Sequence, residues 1–271
     1  MKWIMSILVS LWVGIATAQD YWLPTSDPNL VAFYTCDANN WLDLISGGAG
    51  TGSGGGWVLP AIISGVHSNA WRFRANAPNS LILYNNQLLN GQTAYSISMF
   101  MGGNVGVATG GDVIYCRSVN FSAQHSAMGF AEVVGSGVTN VYFRTTINGV
   151  SLAILYAPNL TQTTPFTSLV GTWKSGEKSV LYLWGQNYAE AVTAAGTLVQ
   201  YPWGTNPSEF RMGSDYWLGT VASMDIDEIL IFKRAVTQNE AEQLAWHRWK
   251  NDHAGVLGQM VTPQSKAVLG N

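Results

Sequence analysis

The sequence predicts an all-β fold in which two antiparallel sheets pack as a jelly-roll sandwich, followed by one C-terminal α-helix. Three observations point to it: short β-rich runs separated by turn residues, two hairpin signatures, and one helical segment late in the chain. Many strands with no helix between them favour a sandwich or barrel over a parallel α/β sheet. Of the 271 residues, 47% are hydrophobic and only 11% are charged, which excludes a disordered chain.

About thirteen runs are predicted as strands because they are rich in β-branched and aromatic residues and mostly bounded by Gly, Asn, Ser or Pro. They are Val31–Thr35, Trp57–Ile63, Ala70–Arg74, Ser80–Tyr84, Ala94–Met101, Asp112–Cys116, Met128–Val134, Val141–Ile147, Val150–Tyr156, Thr167–Lys174, Ser179–Gly185, Glu209–Gly213 and Asp225–Phe232. Asn148-Gly149 predicts a tight hairpin, because a type I′ turn needs the positive φ angles that Asn and Gly accept. Ser175-Gly176 predicts a second hairpin.

A helix is predicted over about 238–250, because Thr237 followed by Glu240 forms a capping box in which each side chain bonds the other's backbone N–H. Arg248 and Lys250 would lie in the last turn, where cations suit the helix dipole. The apolar stripe of this helix is Ala241, Leu244 and Ala245. The helix is expected to lie on the sandwich rather than to begin a second domain.

Residues 1–18 are predicted to be a secretory signal peptide, with Lys2 before an apolar run, Ile4–Ile15, and Ala16-Thr17-Ala18 as the cleavage motif. A retained membrane anchor is the alternative, although the apolar run is shorter than the roughly 20 residues that span a bilayer. The prediction places the protein outside the cell, with one domain over 19–254 and a loosely ordered tail over 255–271.

Two cysteines, Cys36 and Cys116, permit one disulfide in an exported chain. The alternative is two buried thiols in different strands. Asn120-Phe-Ser and Asn159-Leu-Thr match the glycosylation acceptor pattern, which matters only in a eukaryotic host.

Three motifs between Phe166 and Trp246 carry a family resemblance. Leu169-Val-Gly-Thr-Trp-Lys-Ser-Gly looks like the pattern V-A-x-T-[YW]-D-G, and Leu181-Tyr-Leu-Trp-Gly looks like L-Y-V-D-G with Trp184 in place of Asp. Ile226-Asp-Glu-Ile-Leu-Ile-Phe-Lys-Arg-Ala-Val-Thr-Gln-Asn-Glu is similar to a closing strand and helix cap, I-D-E-V-x-I-Y-N-R-A-L-S-x-x-E. Together they resemble the LamG-like jelly rolls of the concanavalin A-like lectin/glucanase superfamily.

This resemblance implies two antiparallel sheets, one of them concave, with any binding site formed by loops at the rim. It also implies structural roles for Trp173, Asp227 and Glu228. Upstream, Asp43-Leu-Ile-Ser-Gly resembles the family's D-x-S-G-x-G loop with one extra residue. Trp71, Trp173 and Trp184 are expected in the sandwich core.

Two loop clusters place aromatic rings beside carboxylate and amide groups, a combination suited to sugars. A pyranose offers C–H groups to a ring face and hydroxyls to Asp or Asn. The candidate ligand-binding residues are Trp203, Asn206, Asp215, Tyr216 and Trp217. The alternative for any one of these tryptophans is ordinary packing.

Calcium is the cofactor that the sequence suggests, since it takes oxygen ligands from Asp, Asn and backbone carbonyls. Asp43 and Asp215 are the candidate ligands, and ordinary turn aspartates are the alternative.

Other chemistries find little support. The formal net charge is −3, with no basic stripe of the kind that nucleic-acid binding needs. A G-x-G-x-x-G match at Gly50 precedes Trp57-Val-Leu-Pro, where no helix can begin to hold a nucleotide phosphate. Asp225, Asp227 and Glu228 are the one tight carboxylate cluster, but strand alternation puts only the first two on one face. Ser223 stands where a glycosidase of this superfamily would carry its first Glu.

The sequence therefore predicts a secreted binding module without catalytic residues that recognises a glycan on a cell surface or in a matrix. One alternative is a structural subunit of a surface appendage, surface layer or virion, which would bury its aromatic surface against copies of itself. A glycoside hydrolase is the third candidate. It ranks last because the sequence does not supply the complete pair of carboxylates that such hydrolysis needs.

Overall fold

Fifteen β-strands and one α-helix make up the regular structure in the part of the chain that the computed structural model describes. That part is residues 24–37, 42–47, 51–52, 60–66, 69–73, 81–83, 88–102, 111–117, 127–135, 138–147, 150–157, 166–193, 195–199, 210–212 and 224–246. The predicted signal peptide, the C-terminal tail and both glycosylation sequons lie outside these ranges.

The strands are β1 Leu30–Tyr34, β2 Thr51–Gly52, β3 Ala61–Ser64, β4 Asn69–Phe73, β5 Leu81–Leu83, β6 Ala94–Gly102, β7 Gly111–Arg117, β8 Ala127–Gly135, β9 Val138–Ile147, β10 Val150–Tyr156, β11 Thr167–Lys174, β12 Lys178–Leu183, β13 Gln186–Val192, β14 Phe210–Met212 and β15 Met224–Phe232, and the helix is α1 Gln238–Ala245. No helix in the described ranges is long and apolar enough to cross a membrane.

The strands form two antiparallel sheets, which confirms the predicted fold class. One has eight strands in the order β13-β12-β11-β6-β15-β4-β3, with β1 also paired to β15. The other has seven strands in the order β10-β9-β8-β7-β14-β5-β2. Both predicted hairpins form: Ile147 pairs with Val150 across the Asn148-Gly149 position, and β11 turns into β12 with Gly176 at φ 71°.

The sequence reading missed two strands, β2 and β13, and misplaced some ends. β3 begins at Ala61 rather than Trp57, directly after Pro60, which has no N–H for a strand ladder. β12 ends at Leu183 because Trp184 and Gly185 have φ 50° and 77°, the positive values of a type I′ turn that leads into β13.

The main hydrophobic core lies between the sheets. Each sheet contributes the alternate side chains of its strands, with Trp71, Tyr95 and Trp173 from the eight-stranded sheet facing Phe130 and Phe143 from the other. Tyr95 anchors the two layers further, since its hydroxyl lies 2.8 Å from Thr145 Oγ1. The predicted core positions of Trp71 and Trp173 are therefore confirmed.

The predicted core position of Trp184 is wrong. Its ring lies outside the core that contains Trp71 and Trp173. It packs against Phe100 at a centroid distance of 6.0 Å and against Trp246 at 5.4 Å. The positive φ of the turn places this side chain at the end of α1 instead of between the sheets.

A second cluster forms on the outer face of the eight-stranded sheet, where α1 covers it. Ala241 and Leu244 of the helix pack with Val170, Leu230 and Phe232 of the sheet. The capping box at Thr237 and Glu240 is present as predicted. The helix ends at Ala245 rather than near residue 250, because the Trp246 backbone leaves the helical conformation at φ −102°, ψ 4°; Arg248 and Lys250 lie outside the described residues.

Candidate functional site

The five loop residues predicted to bind a ligand, Trp203, Asn206, Asp215, Tyr216 and Trp217, all lie outside the described residues. Their assignment therefore remains a prediction, as does the role of Asp215 as a calcium ligand. In the ranges that the structure describes, no group of three or more His, Cys, Asp or Glu side chains is placed to hold a metal ion.

Asp43, the other calcium candidate, is fully buried and organises its own loop. Its Oδ1 accepts hydrogen bonds from the backbone N–H groups of Phe33 at 2.9 Å and Ile45 at 3.0 Å, and its Oδ2 accepts from the Ser46 hydroxyl at 2.5 Å. Both carboxylate oxygens thus hold the turn against β1. This arrangement matches the alternative reading of a turn aspartate.

Cys36 lies at the end of the β1 segment, buried and with φ 60°. Its side chain is not part of a disulfide in the structure, and its Sγ lies 3.8 Å from the carbonyl oxygen of Tyr34. The disulfide with Cys116 considered from the sequence is thus not formed at Cys36. Cys116 lies on β7 of the opposite sheet, and its side chain is outside the described set.

The carboxylate cluster on β15 serves the sheet rather than a cleft. Asp225 accepts two hydrogen bonds of 2.7 Å from Arg72 on β4, a bidentate pair with the carboxylate almost fully buried. Asp227 is also buried, and its Oδ2 accepts the N–H of Val66 at 2.8 Å. These two partners give both acids a structural role, since each carboxylate holds a neighbouring segment of the sheet.

Glu228 departs from the alternation that the sequence suggests, because β15 contains a bulge there. Glu228 is buried at φ 47°, and the pairing with β6 shifts register between Asp227 and Leu230. On its other side, β15 changes partner from β4 to β1 at the same place. The bulge therefore lets one strand serve two neighbours.

An aromatic patch, which we call the tyrosine face, lies on the outer surface of the seven-stranded sheet. Tyr142 on β9 and Tyr156 on β10 are direct register partners, with ring centroids 6.0 Å apart and an interplanar angle of 56°. Val141 and Phe143 lie in the core. Because side chains alternate along a strand, Tyr142 between them points away from the core. The Tyr156 side chain is 54% exposed.

Arg144 supplies polar groups to the same face, two residues along β9 from Tyr142. Its Nε donates a 3.0 Å hydrogen bond to Thr146 Oγ1, which orients the guanidinium along the strand. Among the described residues this is the one hydrogen bond of the Arg144 side chain. The two terminal nitrogens of its guanidinium are further N–H donors.

Sequence reasoning located both strands of the tyrosine face but did not assign the face a function. The signal was present in the alternation of β9, Val-Tyr-Phe-Arg-Thr-Thr-Ile, and in Tyr156 seven positions after the hairpin turn. What the sequence could not supply is the register that brings Tyr142 opposite Tyr156, because β9 and β10 shift register between Ser151 and Ala153.

No protein-family model matches the chain, and no curated protein matches it. Solved structures do match in fold. Domain 4 of AbnA, a GH43 extracellular arabinanase from Geobacillus stearothermophilus in complex with arabinotriose, superposes with a TM-score of 0.58 at 16% identity, over 80% of this chain and 98% of that one. The binding domain of Paraclostridial Mosquitocidal Protein 1 gives a TM-score of 0.54 at 15% identity, over 80% of this chain and 52% of that one.

A structure of botulinum neurotoxin type C gives a TM-score of 0.52 at 11% identity, over 81% of this chain and 51% of that one. Cell entry of that toxin depends on interaction with two ganglioside molecules. The chain thus spans about half the length of these two toxin structures and nearly all of the arabinanase domain. At such identities the likeness shows the β-sandwich fold alone. Of these structures, the arabinanase domain holds arabinotriose and the mosquitocidal protein structure is that protein's binding domain.

Proposed function

We propose that this chain is a secreted, non-catalytic module that binds a carbohydrate, with the tyrosine face as its contact surface on the seven-stranded sheet. The observation that carries the proposal is the register-matched pair Tyr142 and Tyr156, of which Tyr156 is exposed, with Arg144 on the same face of β9 as Tyr142. Tyrosine rings present an apolar face together with a polar hydroxyl, which suits a sugar ring that is apolar on its C–H side and polar at its edge.

The rival explanation for the pair is strand stability. A cross-strand aromatic pair stabilises a sheet by roughly 0.2–1 kcal/mol whether or not it binds anything. That role, however, does not require a ring to be exposed, and Tyr156 leaves 54% of its surface to solvent. Binding and packing can therefore be separated by substitution at Tyr156, where about half of the residue is already exposed to solvent.

The loop residues Trp203, Asn206, Asp215, Tyr216 and Trp217 belong to the same proposal as rim contacts, and calcium held by Asp215 would be an additional rim element. The matched arabinanase domain holds arabinotriose, which makes arabino-oligosaccharides a reasonable first probe. The predicted signal peptide over residues 1–18 supports an extracellular location.

The test is affinity electrophoresis of the full chain in gels containing arabinan, laminarin or polygalacturonate. We expect retardation by at least one polysaccharide and a loss of about tenfold in affinity for Tyr156→Ala, equal to about 1.4 kcal/mol. Tyr188→Ala is the matched control, because Tyr188 is also a strand tyrosine and 50% exposed, but on β13 of the other sheet.

Trp203→Ala and Trp217→Ala should weaken retardation as well. The proposal fails if no polysaccharide or array glycan is bound, or if Tyr156→Ala and Tyr188→Ala behave alike. Far-ultraviolet circular dichroism of each variant checks that the sheets remain intact.

A structural or assembly subunit is the second candidate, and the eight-stranded sheet offers one observation for it. Its terminal strand β13 exposes Tyr188 and, at 75%, Val192. A terminal strand with exposed apolar side chains can pair with another chain. Light scattering of the purified protein decides: a concentration-independent monomer would count against assembly.

A further inference from the structure

An open groove lies on the outer face of the eight-stranded sheet, on the opposite side of the sandwich from the tyrosine face. Its floor is Thr172 of β11 and Val180 of β12, and Val236, just before α1, forms one side. Lys174, Glu177 and Lys178 from the β11–β12 turn stand at its mouth. The groove has a volume of about 460 Å³, within the range of small-ligand sites.

The Thr172 hydroxyl is the feature that points to a ligand. The residue is only 3% exposed, and its Oγ1 has no hydrogen-bond partner among the described residues. A buried hydroxyl left without a partner loses the hydrogen bond that water gives it in the unfolded chain, which destabilises the fold. A group at the bottom of the groove that accepts or donates one hydrogen bond would recover that energy.

The neighbours of Thr172 in the sheet explain why its hydroxyl has no partner. In one direction it pairs with Ser96, whose Oγ donates to the Arg234 carbonyl and accepts from the Val236 N–H. In the other direction it pairs with Val180, which has no polar side-chain atom. The serine hydroxyl therefore serves the segment before α1, and the threonine hydroxyl lies under the groove.

The charges around the groove are balanced, which bears on the class of ligand. Lys174 pairs with Glu177 at 2.6 Å, and Lys178 pairs with Glu190. All four side chains are half-exposed, and such exposed pairs contribute little to stability. They can turn to a ligand's hydroxyls at little cost, whereas a charged ligand would find each lysine at the groove already paired with a glutamate.

We propose that this groove is a second saccharide site that takes one neutral sugar unit. The C–H face of the ring would lie on Val180 and Val236, one hydroxyl would bond Thr172 Oγ1, and the Lys–Glu pairs at the mouth would contact outer hydroxyls. The choice of ligand class rests on the proposed function, but the residues belong to a different sheet from the tyrosine face.

The experiment follows backbone amide shifts by NMR in the full chain, with arabinotriose, laminaritriose and tri-galacturonate as probes. We expect at least one neutral trisaccharide to shift the amides of Thr172, Val180 and Val236, and tri-galacturonate to shift them less. Thr172→Val keeps the side-chain shape but removes the hydroxyl, and should weaken binding at the groove about tenfold. Thr172→Ser, which keeps the hydroxyl, should bind within about threefold of the parent.

Failure of this proposal can be told apart from failure of the proposed function. If sugars shift the amides of Tyr142 and Tyr156 but never those of the groove, the second site is refuted and the tyrosine face stands. If Tyr156→Ala abolishes all binding while Thr172→Val changes nothing, the groove is again refuted. The groove proposal is also overturned if only tri-galacturonate shifts the amides of the groove. It is overturned as well if Thr172→Val raises the thermal unfolding temperature but leaves sugar binding unchanged.

Discussion

Trp184 and Gly185 show how a neighbouring element selects single residues in a turn. Both have positive φ, as a type I′ turn requires, yet only one of them is glycine. A Cβ on Gly185 would lie 2.3 Å from the Cα of Glu242 in α1, so no side chain fits there. Trp184 tolerates its strained φ because its ring packs on Trp246. The helix therefore requires the glycine and favours the tryptophan.

Gly185→Ala should lower the free energy of unfolding by about 2–4 kcal/mol, because φ strain of roughly 1 kcal/mol adds to overpacking of about 1–3 kcal/mol. Gly176→Ala is the control, since its φ is 71° but the nearest atom to a new Cβ lies 3.7 Å away. That variant should lose only the strain energy. Urea unfolding measures both; equal losses would mean that the contact with α1 contributes nothing.

The helix α1 and the edge strand β13 show how far the local sequence of an element determines its structure. α1 begins where its capping box predicts, with the Thr237 N–H donating to Glu240 at 2.7 Å and Glu240 N–H donating to Thr237 Oγ1 at 3.3 Å. The sequence pattern does not predict β13 because Asn, Ala and Glu make up four of its seven residues, and these residue types are depleted in strands. It becomes a strand because the turn returns it to β12 and Ala189 packs against the core.

Thr237→Ala removes the side-chain half of the capping box and should destabilise the protein by about 0.5–2 kcal/mol. Thr237→Ser keeps the hydroxyl and is expected to stay within about 0.5 kcal/mol of the parent. Chemical unfolding monitored by circular dichroism makes the comparison. A Ser variant as unstable as the Ala variant would contradict capping as the cause.

At the scale of the whole molecule, Arg234 joins the start of the described chain to its end. It donates to Asp27 at 2.5 Å and to Glu240 at 2.7 Å, linking the segment before β1 to α1. Burial alone would raise the pKa of Asp27 and that of Glu240. The hydrogen bonds from Arg234, with help from Asn29 and Thr237, outweigh burial and hold both pKa values below their ordinary 3.8 and 4.5.

The sign of the pH dependence follows from these lowered pKa values. The unfolded chain binds protons more readily than the folded one, so the network's contribution is complete above about pH 4.5 and is lost as pH falls through and below 3.8. Arg234→Gln should flatten the loss of stability over that range. Lys233→Gln, which removes an exposed charge next to it, should leave the slope unchanged. Unfolding curves from pH 6 to 2.5 test this, and parallel slopes for both variants would refute it.

Local pattern predicted most of the fold: the β-rich runs, both hairpins, the helix start and the core tryptophans Trp71 and Trp173. These features depend on side-chain periodicity and turn geometry, which are properties of neighbouring residues. The tyrosine face, the groove over Thr172 and the outward position of Trp184 were decided by tertiary structure. Each depends on register, on a bulge, or on which element covers a sheet, and such contacts join residues far apart in sequence whose geometry no local pattern contains.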